Sequence, residues 1–298
     1  MALLTAQGIA RIAIPLLTRS LQLVRTVTMV PQAGFTGPNG ETIDVRVRLP
    51  RTARTQASPG ASITYDDQNE VGVLVTLAHL YDAYHVTDED LSLNLEDFAS
   101  QITEPQVASI ATGAEDEVAD VMNNLTADLS FALTETEGDT VDTILAAREA
   151  LGEDDVPAGD RWLAVSPSIA TRLLNVEKFT KVNESGGESA LRDAILGRIY
   201  GFTVVESNGL TADTAVAYHR SGFVFASKKP ADPRGANESF ALSQAGINIR
   251  QIFQYDPDVL SDASVLSTFA GASAVFEDAD DSSPADRERS VKIDVASS

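Results

Sequence analysis

The chain carries three histidines and no cysteine with which to do acid–base, nucleophilic or soft-metal chemistry. His79, His85 and His219 stand at none of the spacings, such as H-E-x-x-H, that put two ligands on one helix face, and they read as surface or interface residues. A serine nucleophile held on a sharp strand-to-helix turn needs G-x-S-x-G, which is absent. Ser166 and Ser168 flank Pro167 and read as a helix start instead. In "DEDLSLNLED", Asp88, Asp90, Ser92, Asn94 and Asp97 approach the spacing of a calcium loop. That loop needs Gly at its sixth position and Glu at its twelfth, and here these are Leu93 and Ala99. The acids fit the first turn of a helix, where the dipole favours negative charge. Paired carboxylates single out nothing, because 44 Asp and Glu make chance neighbours unavoidable.

The glycines of "LGRIYGFTVVESNGL", residues 196–210, surround a strand as the glycines of a nucleotide site do. Gly201 precedes its strand, however, and does not join a strand to a helix. Neither "GRIYG" nor "NESGGESA" supplies G-x-G-x-x-G or GK[ST], so no phosphate cradle is specified. The stretch reads as turns: Gly197 closing a helix, Gly201 allowing a tight bend, Asn208-Gly209 turning back. No catalytic residue, cofactor-binding residue or metal ligand is expected, and no aromatic-plus-basic stripe for single strands is present.

With no site to position, the elements themselves carry the message. Residues 1–35 are apolar without a compact pattern and read as an arm with one short helix. Ile43, Val45, Val47 and Leu49 alternate with Asp44, Arg46 and Arg48, and Val71, Val73, Val75 and Leu77 form a second alternating run. Between them lies a polar tip with the breaker Pro59-Gly60, so the two runs predict a β-hairpin arm. Such an arm is marginal in water unless it lies on the body or on a partner. "VTDEDLSLNLEDF" opens a helical stretch with Thr87 as its cap. Thr103 and Gln106 resemble a capping box, and Val107, Ile110, Ala114, Val118, Val121, Leu125, Leu129 and Ala132 form one apolar stripe. The stripe predicts a helix of about 30 residues, ~45 Å long. Residues 139–217 alternate helices with short strands: a helix from Thr140 to Leu151 closed by Gly152, "RWLAV", a helix from Ser166-Pro167, "ESALRDAIL", "FTVVE" and "TAVAYH". "GFVFAS", "SFALSQ", "INIRQIFQYD" and "SVLSTFAGASAVF" are strands, and "SVKIDV" reads as an edge strand.

Charge divides the chain. Residues 1–60 hold seven Arg against Glu41 and Asp44, whereas 55–147 hold 19 acids and no Lys or Arg; the formal net charge is −22. Such a body repels nucleic acid rather than gripping it, and the asymmetry suits a basic arm lying on an acidic surface of its own chain or a neighbour's. The absence of cysteine fits a reducing cytoplasm, no run approaches the ~18 apolar residues of a membrane span, and the start lacks the plan of a secretory signal.

The order of apolar arm, hairpin arm, long spine helix, α/β lobe and return strands resembles the major capsid (coat) protein of tailed bacteriophages, an α+β chain of HK-ninety-seven-like fold, and most closely its podovirus-type branch. "GETIDVRVRLP" followed by "DAYHVTDEDLSLNLEDFASQITEPQVASIA" is similar to the family's extended loop running into its spine helix. "RWLAVSPSIATRLL" and the 196–210 stretch are similar to parts of its axial domain, and "SGFVFASKKP" and "INIRQIFQYDPDVLSDASVLSTFAGASAVF" to its closing peripheral strands. The resemblance implies an N-terminal arm at 1–39, an extended loop at 40–86, a peripheral domain with spine helix at 87–138, an axial domain at 139–217, return strands at 218–276 and a tail at 277–298.

It further implies a non-enzymatic subunit that gathers into hexamers and pentamers of an icosahedral shell around double-stranded DNA, assembled in the bacterial host cytoplasm. Its partners would be other subunits, scaffolding, portal or cement proteins, and DNA without sequence-specific contact; no membrane or cofactor is involved. Arg46, Arg48, Arg51 and Arg54 are the expected contacts to a neighbour's acidic surface. Some relatives crosslink through a lysine on the extended loop, but the first lysine here is Lys178, so assembly is expected to be noncovalent. Scaffolding, if needed, is expected as a separate protein. An encapsulin-like nanocompartment shell, which encloses an enzyme, is the alternative of the same fold.

Overall fold

A computed structural model describes residues 21–30, 42–48, 55–56, 58–60, 62–63, 65, 70–89, 99–131, 137–175, 197–233, 238–244, 246–276 and 289–295. In chain order the strands and helices are β1 (Thr28–Val30), β2 (Thr42–Arg48), β3 (Glu70–Thr76), β4 (Ala78–Thr87), α1 (Glu104–Asn123), β5 (Leu129–Phe131), α2 (Glu137–Glu153), β6 (Arg161–Val165), α3 (Pro167–Asn175), β7 (Arg198–Ile199), β8 (Phe202–Glu206), β9 (Thr214–His219), β10 (Phe223–Lys228), β11 (Glu238–Gln244), β12 (Ile247–Asp256), β13 (Ser261–Ala274) and β14 (Ser290–Val295). The α+β character and the β-hairpin are as the sequence predicts.

The first six-stranded sheet runs β1-β10-β13-β12-β11, with β4 also on β13. Its organising strand is β13, fourteen residues long, which pairs antiparallel with β10 near its end, with β12 near its start, and with β4 over ten residues. The second sheet runs β5-β14-β9-β6-β8-β7. Helix α1 lies between the two sheets. Its Val107, Ile110, Ala114, Val118 and Met122 share one core with Phe223, Phe225, Ile249 and Leu266 of the first sheet and with Val216 and Tyr218 of the second. The opposite face of the second sheet, through Leu163, Val165, Phe202, Ala217 and Ile293, is covered by Ile144, Ala147 and Leu151 of α2 and Ile169 and Leu173 of α3. Alternate residues of β6 and β9 thus enter opposite cores, as the period of a strand requires.

Several expectations give way to packing. The stripe predicted one helix through Ala132, but α1 ends at Asn123 and Leu129–Phe131 form β5, paired parallel with β14. Leu125 and Leu129 keep the helical spacing by coincidence, and strand pairing outweighs it. The capping box at Thr103 does not form. Thr103 already has helical φ and ψ, because the five-residue π-turn Ala99–Thr103 leads straight into α1, and its side chain caps nothing. The Gln106 amide instead donates to Ser264 O at 3.0 Å and Asp82 O at 3.4 Å, tying α1 to β13 and β4. Helix α2 passes through Gly152 and is closed by Asp155 at φ +54, with Val156 N–H bonded to Leu151 O and Asp155 N–H to Gly152 O. That is a Schellman closure with Asp in the left-handed position, sealed by burial of Val156 and Leu151. The edge-strand reading of "SVKIDV" is overturned: β14 pairs with β5 on one side and β9 on the other. Thr87 belongs to β4, and both the helix it was to cap beyond Glu89 and the "ESALRDAIL" helix lie outside the described residues.

Candidate functional site

Among the described residues no group of three His, Asp or Glu could hold a metal. His79 stacks with Phe269, the ring centroids 4.5 Å apart; His85 Nδ1 lies 3.2 Å from Ser261 Oγ and His219 Nδ1 2.8 Å from Ser221 Oγ. Burial, with Arg289 nearby, pulls His219 below the usual histidine range, so it caps the following 3₁₀ turn as an acceptor from Ser221 N–H. Ser166 and Ser168 pair their hydroxyls at 3.0 Å, and Ser166 O accepts from Ala170 N–H at the start of α3. These polar residues close turns and helices.

The surfaces are more informative. The hairpin β2–β3 is in register from Thr42↔Thr76 to Arg48↔Glu70, so Ile43 faces Val75 and Val45 faces Val73. This apolar side rests on the body: Val73 and Val75 are buried with Val224 and Ala226 of β10 and with Val275. The chain passes so close to β13 that a side chain at Gly271 would run into the Thr76 carbonyl. The other side faces outward, with Arg46 exposed opposite Gly72 and Leu74 66% exposed. Toward the tip, Ile63 and Tyr65 are 60% and 85% exposed. Of the four arginines expected to make contacts, Arg46 stands exposed on β2 and Arg48 lies two residues on in the same strand; Arg51 and Arg54 lie outside the described residues.

Acidic surfaces lie elsewhere on the chain. Along α1, Glu104, Asp116 and Asp120 are exposed, and burial together with Asp120 and Asp116 pushes Glu117 above the usual carboxylate range. At the β12–β13 turn, Tyr255 OH donates to Asp88, and burial with Asp88 nearby pushes Asp262 up. Val259 and Leu260 project from that turn, both 60% exposed, Leu260 at φ +48.

Three internal attachments escaped the sequence reading. Residues expected to form an arm with one short helix are, over Leu21–Val30, seated in the body of their own chain. Leu21, Leu23, Val24 and Val27 are at most 2% exposed, and β1 pairs parallel with β10. Glu115 receives the N–H groups of Gln22, Leu23 and Val24 at 2.7, 2.7 and 3.2 Å. The signal was present, since Glu115 interrupts the buried i, i+4 row of Ala111 and Ala119. Lys292 of β14 donates to Asn123 O and Leu125 O at 2.9 and 3.0 Å, satisfying carbonyls at the end of α1. The Asn208-Gly209 turn is held against the same helix end: the Asn123 amide donates to Gly209 O, and Thr211 N–H donates to Asn123 Oδ1, both at 2.9 Å.

A sequence profile of the family described as phage capsid protein matches residues 70–272. No curated protein matches the chain. Among solved structures, the fold is similar to that of Mycobacterium phage Che8, with a TM-score of 0.62 and 22% identity over 91% of each chain. It is similar to the capsid structure of cyanophage P-SCSP1u, with a TM-score of 0.61 and 13% identity over 91% of this chain and 86% of the other. A virus-like particle from Pyrococcus furiosus matches with a TM-score of 0.53 and 12% identity over 97% of this chain and 98% of the other. The fold is thus HK-ninety-seven-like, two sheets about a spine helix with a two-stranded hairpin packed on the first sheet. With a match spanning most of its length, the chain belongs to the phage capsid protein family and has a structural role as a capsid protein.

Proposed function

We propose that copies of this chain gather into hexamers and pentamers of an icosahedral head that encloses double-stranded DNA, held together without covalent crosslinks. In this reading the hairpin is the extended loop, α1 the spine of a peripheral domain that includes the β10–β13 strands, and the second sheet with α2 and α3 the axial domain. The observation that carries it is the hairpin itself. Its apolar root is sealed on the body, while Arg46, Leu74, Ile63 and Tyr65 face outward, as expected of a surface that a second subunit completes. The strongly acidic remainder of the chain suits a neighbour's seat for the hairpin arginines and a container that does not grip its DNA.

Assembly occurs in the host cytoplasm in this reading, with portal, scaffolding and cement proteins as separate partners. Changing Arg46, Arg48 and Arg51 together to Glu is expected to leave soluble, folded subunits that do not form shells, as read by negative-stain imaging and sedimentation. Intact shells from that variant would overturn the role given to the arginines. A shell around protein cargo is the one second reading, because the fold that serves it is the same and is shared with a virus-like particle from Pyrococcus furiosus over nearly the whole chain. Nucleic acid in purified wild-type particles supports the first reading, and an enclosed protein the second.

A further inference from the structure

We propose that Asn208 is a site of spontaneous deamidation that the fold keeps latched, unreactive while its turn is seated on α1 and reactive when the turn lifts. In an Asn-Gly pair the side-chain amide is most open to attack by the next backbone nitrogen, because glycine has no Cβ to crowd the approach. The pair stands in the connection from β8, which ends at Glu206, to β9, which starts at Thr214. Asn208 is exposed, while Ser207 before the pair and Leu210 after it are buried. Water reaches the asparagine, and the backbone on both sides of it is fixed.

The step runs through the Gly209 nitrogen. That nitrogen attacks the Asn208 side-chain carbonyl carbon, a new C–N bond forms, the amide C–N bond breaks, and the displaced nitrogen leaves as ammonia with the proton from Gly209. The five-membered imide then takes up one water and opens to aspartate, or to isoaspartate, whose backbone is one carbon longer. Nothing is oxidised or reduced. The seat opposes this step in several ways. Gly209 N–H donates to Ser207 Oγ at 3.3 Å, so the attacking nitrogen is engaged. Beyond it, Gly209 O accepts from the Asn123 amide and Thr211 N–H donates to Asn123 Oδ1, both at 2.9 Å. Before it, Ser207 N–H donates to Val165 O at 3.0 Å. The peptide that must swing toward the Asn208 side chain is thus held at both ends. A Cβ on Gly209 would lie 2.8 Å from Ala119 Cβ and 3.2 Å from Asp116 Oδ1. The turn therefore has no room to rearrange toward α1, and a carboxylate beside Gly209 disfavours the negative charge of a deprotonated nitrogen. Once the bonds to Asn123 open, these restraints lapse together. Each chain then accumulates the change in proportion to the time its turn spends off α1, and the longer isoaspartate backbone does not fit back into a seat without spare space.

Peptide mapping by mass spectrometry of the purified full chain, incubated at mildly alkaline pH, tests this by following aspartate and isoaspartate at position 208. The folded wild type is expected to deamidate there at least about tenfold more slowly than the same chain unfolded in urea. Asn123→Ala and Ser207→Ala, each checked for folding by circular dichroism, are expected to speed the folded-state reaction about fivefold, the shift in opening that loss of one ordinary hydrogen bond gives. Acceleration in either folded variant supports the latch. Equal wild-type rates in the folded and unfolded states would overturn the proposal, as would an unreactive Asn208 in the unfolded chain. Folded variants that both react at the wild-type rate would overturn it too. If Asn123→Ala does not fold, Ser207→Ala and the wild-type comparison decide the matter.

Discussion

Gly201 and Gly209 bracket β8, and the fold requires each for a different reason. Gly201 sits at φ +94 after Tyr200 at φ +45, the paired positive values of a tight type I′ hairpin turn between β7 and β8. A Cβ there would meet nothing within 4 Å, so the requirement is purely conformational. At Gly209 an added Cβ would lie 2.8 Å from Ala119 Cβ and 3.2 Å from Asp116 Oδ1, so the requirement is space against α1. Gly201→Val is expected to cost about 1–2 kcal/mol through backbone strain, and Gly209→Val about 1–3 kcal/mol through overpacking. A compensating Ala119→Gly should recover part of the loss only in the second case; denaturant unfolding of the single and double variants checks both, and rescue of Gly201→Val would contradict this assignment. The first requirement was legible in the sequence because a turn is local chemistry. The second was not, because the partner of Gly209 lies some ninety residues away on α1. Glu115 falls between these cases: an acid inside an apolar row was visible, but nothing local says that backbone N–H groups will come to meet it.

At the scale of elements, alternation in strands was the most readable signal and helix boundaries the least. The hairpin followed from period-two runs on both sides of a breaker, and β6, β8, β9 and β10 from short buried runs. Strand β4 was missed, although Tyr81, Tyr84, Val86 and Thr87 are residue types strands favour, because the acids that follow it fit the first turn of a helix. The spine was overextended because an apolar stripe records burial, and burial continued after the helix had given way to β5. Thr103 and Gln106 show how a motif can be present without its geometry. Thr103 Oγ1 is buried with no hydrogen-bond partner, so Thr103→Val should be neutral or stabilising by up to about 1 kcal/mol. Gln106 bonds the backbone of two strands and accepts from Ser264 Oγ at 3.0 Å, so Gln106→Ala should cost about 1–3 kcal/mol. A capping box would give the opposite pattern for Thr103, with a loss of about 1 kcal/mol, and the same unfolding measurement separates the two.

For the whole molecule, the division of charge is the property that bears most on assembly. Interfaces built on exposed arginines and carboxylates weaken as salt rises, whereas burial of Leu74, Ile63 and Tyr65 does not. Light scattering of assembling subunits between about 50 mM and 500 mM salt is expected to show slower onset at the higher value, with finished shells persisting. Acceleration by salt would mean that like-charge repulsion between the acidic bodies governs the rate instead. Strand β14 bears on time rather than strength. Strands β5 and β9 are made well before it, yet each borders the gap it fills. As the chain leaves the ribosome at ~5–20 residues per second, these two strand edges stay open for several seconds. Closure of the sheet, burial of Val291 and Ile293, and the Lys292 bonds at the end of α1 then arrive together. A chain broken off before Ser290 therefore leaves the ribosome with open strand edges, recognisable to proteases and chaperones, and a finished lobe certifies a chain that was read at least that far.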